Sequence, residues 1–276
     1  NVLDEPLYFR AFHQLLSEPE ALYDEESYDV RPPTDDRPFF FHFFKWGQTR
    51  AILGQLGKTW QPWGGSGYFV LLALLAVAVL ASVTLILVPL AISARRGTQM
   101  AGPRARVLLY FSLLGLGFLF VEIPLLQRFI LFLGQPIYSF ATVVASILLF
   151  SSLGSLAAPR FPLRYALPCL LVAILLYPLI LPAFFDSLLG QPLTLRLLTA
   201  VLSLAPLGFL LGIPFAGGIV WLRERAPGLI PWAWAINGCA SVLASILAAM
   251  IALSAGFAWV LAVAALAYAL AWPVLR

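Results

Sequence analysis

The chain has 276 residues, of which 61% are hydrophobic and only 11% charged, against roughly 25% charged residues in soluble domains. This composition excludes an ordinary water-soluble enzyme. Residues 1–66 hold 6 basic and 10 acidic side chains and the remaining positions 11 basic and 3 acidic, so the net +4 joins an acidic head to a basic, apolar body and is not a nucleic-acid signal.

The head opens with Asp4-Glu5-Pro6, in which Asp4 can cap a helix and Pro6 can occupy its first turn. The helix predicted to follow carries Leu7, Phe9, Phe12, Leu15 and Leu16 as an imperfect apolar face. Ser17-Glu18-Pro19 ends it, because proline cannot continue the hydrogen-bond ladder. Tyr28-Asp29-Val30 reads as extended chain. Pro32 and Pro33 hold a polyproline-like stretch that leads into Thr34-Asp35-Asp36-Arg37-Pro38, a polar turn, and then into Phe39-Phe40-Phe41-His42-Phe43-Phe44. Those rings need a surface to cover. A segment of about 66 residues without a repeated strand pattern buries too little surface to fold alone, so the head is expected to dock on something else.

Asp35, Asp36, Arg37 and His42 form the densest polar group of the head. Two readings fit them: a site for a cation or amine, or a capped turn with Arg37 paired to a carboxylate, of which the turn is the simpler. His13 reads as a packing or surface residue.

Gly64-Gly65-Ser66-Gly67 is read as a flexible joint, flanked by Trp60, Trp63 and Tyr68, aromatics that favour the membrane–water boundary. Seven apolar stretches follow, each near the ~20 residues that a ~30 Å hydrocarbon core requires. They are Tyr68 to Ile92, Val107 to Leu133, Ile137 to Ala158, Tyr165 to Phe185, Leu195 to Leu222, Trp232 to Leu253, and Ala258 to Leu275. A tight hairpin at residues 254–257 is expected between the last two. The expected fold class is an all-α integral membrane protein, a bundle of about seven transmembrane helices over residues 67–276 with a small extramembrane segment at residues 1–66.

Arg95, Arg96, Arg104, Arg106, Arg160, Arg164, Arg223, Arg225 and Arg276 all fall on one side of this topology, and Arg196 stands on the other. The positive-inside rule makes the arginine side cytoplasmic and places the head on the extracytoplasmic side. Small residues recur at helical spacing, Gly208, Gly212 and Ala216 in the fifth span and Ser241, Ser245 and Ala249 in the sixth, and they permit close helix packing. Cys169 and Cys239 lie in apolar runs and read as small packing residues.

Glu122 is the acid deepest in a span, followed by Pro124, Gln127 and Arg128. A charged residue at a helix centre costs roughly 2.5 to 3.5 kcal/mol on insertion scales, so Glu122 is expected to be neutral, paired or facing a hydrated cavity. It serves either as a proton or cation relay or as a hydrogen-bonded carboxyl that holds the bundle together, with Asn237 a candidate partner. Pro124 is expected to bend its helix. Arg128 is expected to snorkel outward or to meet Asp186. Pro206, Gly208, Gly212, Pro214, Gly217 and Gly218 suggest a broken or kinked fifth span, as near transporter substrate sites, although such residues are also common in membrane helices.

Three stretches in this order, Pro33-Thr34-Asp35-Asp36-Arg37-Pro38-Phe39-Phe40-Phe41, Phe118-Leu119-Phe120-Val121-Glu122-Ile123-Pro124-Leu125-Leu126-Gln127-Arg128-Phe129 and Trp232-Ala233-Trp234-Ala235-Ile236-Asn237-Gly238, resemble bacterial membrane-bound spermidine synthase-like proteins. In that family a Rossmann-type domain is joined to membrane helices, and a TDDRP stretch closes the soluble domain before the helical block. The resemblance implies a bacterial inner-membrane location and a polyamine or S-adenosyl-type ligand for the full protein. It also implies that the nucleotide pocket and catalytic acids lie upstream of Asn1. No catalytic residue, cofactor or metal is assigned to this chain. The expected role is a membrane-embedded region that anchors and supports a synthase-like soluble domain. The expected partners are the lipid bilayer, that upstream domain and other membrane subunits, with no nucleic acid. The rival readings are a carrier of a cation or amine that uses Glu122, and a structural subunit of a larger membrane complex.

Overall fold

Uninterrupted apolar sequence leaves a backbone one way to satisfy its polar groups in lipid, the helix, and helix dominates the computed structural model, which describes residues 7–26, 28–54, 67–96 and 104–274. The chain divides into two units, Asn1–Leu74 and Leu75–Arg276.

The first unit holds α1 (Leu7–Ser17), α2 (Pro19–Glu25), α3 (Thr49–Gly54) and the first turns of α4 (Gly67–Ser82). α1 stops where the sequence predicts, but Pro19 also starts a second helix, since proline suits a first helical position. The phenylalanine run forms no strand. Phe40 and Phe41 stand out in a turn, 70% and 93% exposed. Phe44 turns inward, stacked on Tyr68 with centroids 5.3 Å apart and edge-on to Trp46 and Phe69. Tyr68, expected as a boundary aromatic, is thereby buried. Those contacts place the division between the units inside α4 and not at the glycine-rich joint. The Asp4 cap, Trp60, Trp63 and Gly64-Gly65-Ser66 lie outside the described residues.

Among the described residues, seven helices are long and apolar enough to cross a membrane: Gly67–Ile92, Arg104–Leu133, Pro136–Arg160, Leu163–Leu188, Leu193–Arg225, Pro227–Ala255 and Phe257–Val274. They include α5 (Val88–Arg96), α6 (Arg104–Leu133), α7 (Pro136–Ala157), α8 (Leu163–Leu188), α9 (Leu193–Arg225), α10 (Ile230–Ala255) and α11 (Phe257–Val274). The chain is an all-α, multi-pass membrane protein. The expected hairpin between α10 and α11 turns on Gly256, whose φ of 98° strongly disfavours any residue with a side chain. Gly134, with φ 80°, ends α6 as its amide donates back to the Ile130 carbonyl at 2.8 Å.

The fifth span is not broken: α9 is one continuous helix of 33 residues that includes Pro206 and Pro214. α6 likewise continues through Pro124. The glycines of α9 serve close approach, not unwinding. A Cβ on Gly208 would meet Phe150 Cβ at 3.0 Å, one on Gly212 would strike the Ser151 carbonyl, and one on Gly154 of α7 would strike the Phe209 carbonyl, so α7 and α9 touch backbone to backbone. The irregular ladder lies in the first span. A π-turn, Val83–Leu87, precedes Pro89, and the Val88 amide reaches back five residues to Val83. Pro89 has no N–H for the Leu85 carbonyl and its ring crowds that oxygen, which a widened turn relieves.

α6 is the central rod. It packs on α7, α9, α10 and α11, while α8 lies against α9 and α11. Alternating directions bring the start of α6 to the end of α9, where the Tyr110 hydroxyl donates to the Pro214 carbonyl at 2.8 Å. They also bring the start of α9 to the end of α6, where Arg196 Nη1 donates to the Phe132 carbonyl at 2.8 Å. Arg104, Arg106, Arg160, Arg164, Arg223 and Arg225 therefore share one end of the bundle, and Arg128, Asp186 and Arg196 lie toward the other.

Candidate functional site

Glu122 sits on a partly exposed face of α6 next to fully buried Val121. Among the described residues no hydrogen-bond donor and no cation pairs with its carboxylate. Of the three arrangements expected for it, neutral, paired or facing a hydrated cavity, the paired one is therefore not formed among these residues.

Asn237 lies elsewhere. Its Nδ2 donates to the Phe111 carbonyl at 3.1 Å, and on the same face of α10 Ser241 Oγ donates to the Gly115 carbonyl at 3.3 Å. These acceptors precede Glu122 on α6 by about 10–17 Å of helix axis. Asn237 clips α10 to α6 instead of meeting Glu122, and the cause is Gly115: without a Cβ, which would strike the Asn237 carbonyl, the two backbones come close enough for a short amide to bridge them. Of the expected stripe in the sixth span, Ser241 faces α6, whereas Ser245 is exposed and bonds within its own helix to the Val242 carbonyl.

Arg128 Nη1 donates to the Pro178 carbonyl of α8 at 3.4 Å. Asp186 is exposed at the end of that helix. The acceptor explains the choice: in a helix the Pro178 oxygen would take the amide of residue 182, but that residue is Pro182, so the oxygen is left open for another donor. The same logic operates where Trp272 Nε1 donates to the Arg164 carbonyl at 3.2 Å, an oxygen that Pro168 deprives of its amide. Sequence reading did not single out Trp272, yet the signal was present, because every proline inside a helix frees the carbonyl four positions earlier. Gln127 is half-buried beside Arg128, and no hydrogen bond among the described residues joins it to Glu122 or Asn237.

In the first unit, Thr34 and Arg37 close a tight turn. The Arg37 amide donates to the Thr34 carbonyl at 2.9 Å and the Thr34 amide to the Arg37 carbonyl at 3.3 Å, which leaves Asp35 and Asp36 at the tip. Arg37 pairs with Asp29 through a charge-assisted hydrogen bond, so it uses a carboxylate of the extended segment. The Arg31 amide also donates to Asp29, at 3.3 Å. Burial opposes ionisation of Asp29, but the Arg37 hydrogen bond and charge, aided by Arg31, outweigh it and hold the carboxyl below its usual range. His42 is half-buried against Tyr68 and Phe44. Burial, reinforced by the Arg37 charge and opposed by Asp29, holds its imidazole below the ordinary value. The group is thus a turn whose cation is already matched internally. Asp29 escaped the sequence reading because nothing in the spacing marks a partner across the loop.

His13 is exposed on α1, with Phe9 6.0 Å from its ring. Cys239 is buried as expected, whereas Cys169 is exposed on α8. Comparison with known proteins yields no relative: no family model, curated protein or solved structure matches this chain.

Proposed function

We propose that the chain is the membrane-embedded region of a spermidine synthase-like protein, a static helical framework that anchors and supports a soluble domain at the bacterial inner membrane. The resemblance of the Thr34–Pro38, Phe118–Phe129 and Trp232–Gly238 stretches supplies the family. The observation that favours a framework over a carrier is the use made of the polar side chains. Tyr110, Arg128, Ser139, Tyr177, Asn237 and Ser241 each donate to a backbone carbonyl of another helix. Such bonds fix helices to one another, and among the described residues no ionisable group pairs with Glu122, whereas a proton or cation path requires a relay of such groups.

The test uses membrane vesicles from cells that make the full-length protein, in which aminopropyl transfer to putrescine and uptake of labelled putrescine are measured side by side. Transfer that sediments with the membranes, with no uptake above control vesicles and no change in Glu122→Gln, is the expected result. Proton-dependent putrescine accumulation that Glu122→Gln abolishes would replace the framework with a carrier.

A further inference from the structure

A cavity of about 370 Å³ opens at the arginine-bearing end of the second unit, between the end of α7, the start of α8, the last turns of α9 and the end of α11. That volume lies within the roughly 300–1,000 Å³ of small-molecule sites. Its wall combines two chemistries. Phe161, Leu163, Leu167, Val220 and Trp221 give it a continuous apolar side, and Arg164 and Arg225 give it cations.

Each of the two cations rests against an aromatic ring. The Arg164 guanidinium lies 4.7 Å from the ring centre of Tyr165 and that of Arg225 lies 5.1 Å from the ring centre of Trp221. Stacking of this kind orients the guanidinium plane and leaves its edge N–H groups for an anion. Glu224 is the acid among the lining residues. It meets Arg225 at 3.5 Å, but the two side chains are 68% and 57% exposed, so this pair is weak. No carboxylate among the described residues pairs with Arg164.

We propose that this cavity binds an anionic glycerophospholipid, its phosphodiester against Arg164 and Arg225 and one of its two acyl chains along the apolar wall. A soluble anion would make no use of Phe161, Leu167 and Val220, and a neutral apolar ligand would make no use of two guanidiniums. The cavity lies where the spans end, the level at which headgroups are expected for helices of spanning length, and the positive-inside rule turns that end toward the leaflet whose anionic lipids attract basic clusters. Trp272 ties this region together, since its bond to the Arg164 carbonyl joins the end of α11 to the start of α8. Lipid binding here does not depend on whether the bundle is a framework or a carrier.

The full chain is reconstituted in nanodiscs of phosphatidylcholine alone or mixed with phosphatidylglycerol, and retained lipid is counted by native mass spectrometry after transfer to detergent. Wild-type protein is expected to retain phosphatidylglycerol in preference to phosphatidylcholine. Arg164→Gln/Arg225→Gln is expected to weaken that retention by on the order of 10- to 30-fold, from ~1 kcal/mol per arginine. Arg160→Gln/Arg223→Gln, which removes two cations from the same end but outside the lining, is expected to leave it intact. Should the first double variant not fold, Arg225→Gln alone carries the test, because its side chain is largely exposed. Equal loss in both pairs, no loss in the cavity pair, or displacement of the lipid by millimolar inorganic phosphate would each overturn the proposal. The last result would mark the site as one for a free anion.

Discussion

Replacing Gly212 by alanine probes the backbone contact between α7 and α9. A Cβ at this position would strike the Ser151 carbonyl oxygen and stand 2.6 Å from its carbon and 2.8 Å from Ser151 Cα. Carbon atoms rest about 3.5–4.0 Å apart, so α7 and α9 must separate by about 1 Å, and no side chain can move aside because every atom met is backbone. Overpacking of this kind costs about 1–3 kcal/mol. The upper end applies here, since separation also loosens the contacts at Gly208 and Gly154. At roughly 2–4 °C per kcal/mol for a chain of this size, Gly212→Ala should lower the thermal midpoint in mild detergent by roughly 6–12 °C. Gly238 is the control, since a Cβ placed there would meet nothing within 4 Å, and its alanine variant should match or slightly exceed wild type because alanine favours helix by ~1 kcal/mol. Tryptophan fluorescence during heating reads both. Equal midpoints for the two variants would refute the claim that α7 and α9 are held by direct backbone approach.

Arg37→Ala leaves Asp29 with its burial and without its main partner, so the carboxyl should titrate higher than in wild type, as seen by carbon NMR of labelled aspartate. The lowered wild-type value means that the pair stabilises the fold fully above the unfolded pKa of about 3.9 and that this contribution is lost as pH falls through the folded value. An unchanged Asp29 titration in the variant would contradict the pairing. His42, also lowered, favours the fold above about 6.5 and loses that contribution as pH falls below it, so His42→Gln should flatten the stability profile on the acidic side. Arg128→Ala should cost about 1 kcal/mol in wild type and less in a Pro182→Ala background, where the new amide serves the Pro178 carbonyl. Identical costs in the two backgrounds, measured by a double-mutant cycle in detergent, would show that proline does not create the acceptor. Trp272→Phe keeps an aromatic ring but deletes the donor to Arg164, and should lower the thermal midpoint by a few degrees, whereas Trp234→Phe, on an exposed face, should not.

Much of the architecture was legible without coordinates because lipid leaves a backbone few options. Seven apolar stretches of spanning length became seven helices with ends within a few residues of those expected, the hairpin fell at Gly256, and Arg104, Arg106, Arg160, Arg164, Arg223 and Arg225 share one end of the bundle, while Arg276 lies outside the described residues. Proline and glycine were the misleading signals. They suggested a broken or kinked α9, yet the helix is continuous through both prolines, and a π-turn lies instead before Pro89 in the first span. A proline removes one hydrogen bond, and whether the helix opens or a neighbour fills the gap depends on what stands beside it.

Residue identity and spacing therefore decided which segments are helices, how many times they cross and which ends carry charge, since each follows from local hydropathy and chain length. The tertiary structure alone decided the partners: Asn237 with Phe111 and not Glu122, Arg128 with the oxygen freed by Pro182, Arg37 with Asp29 across a loop. Those outcomes depend on how far each helix is rotated about its axis and how closely glycine lets its neighbour approach, and these are properties of the packed bundle rather than of any single segment.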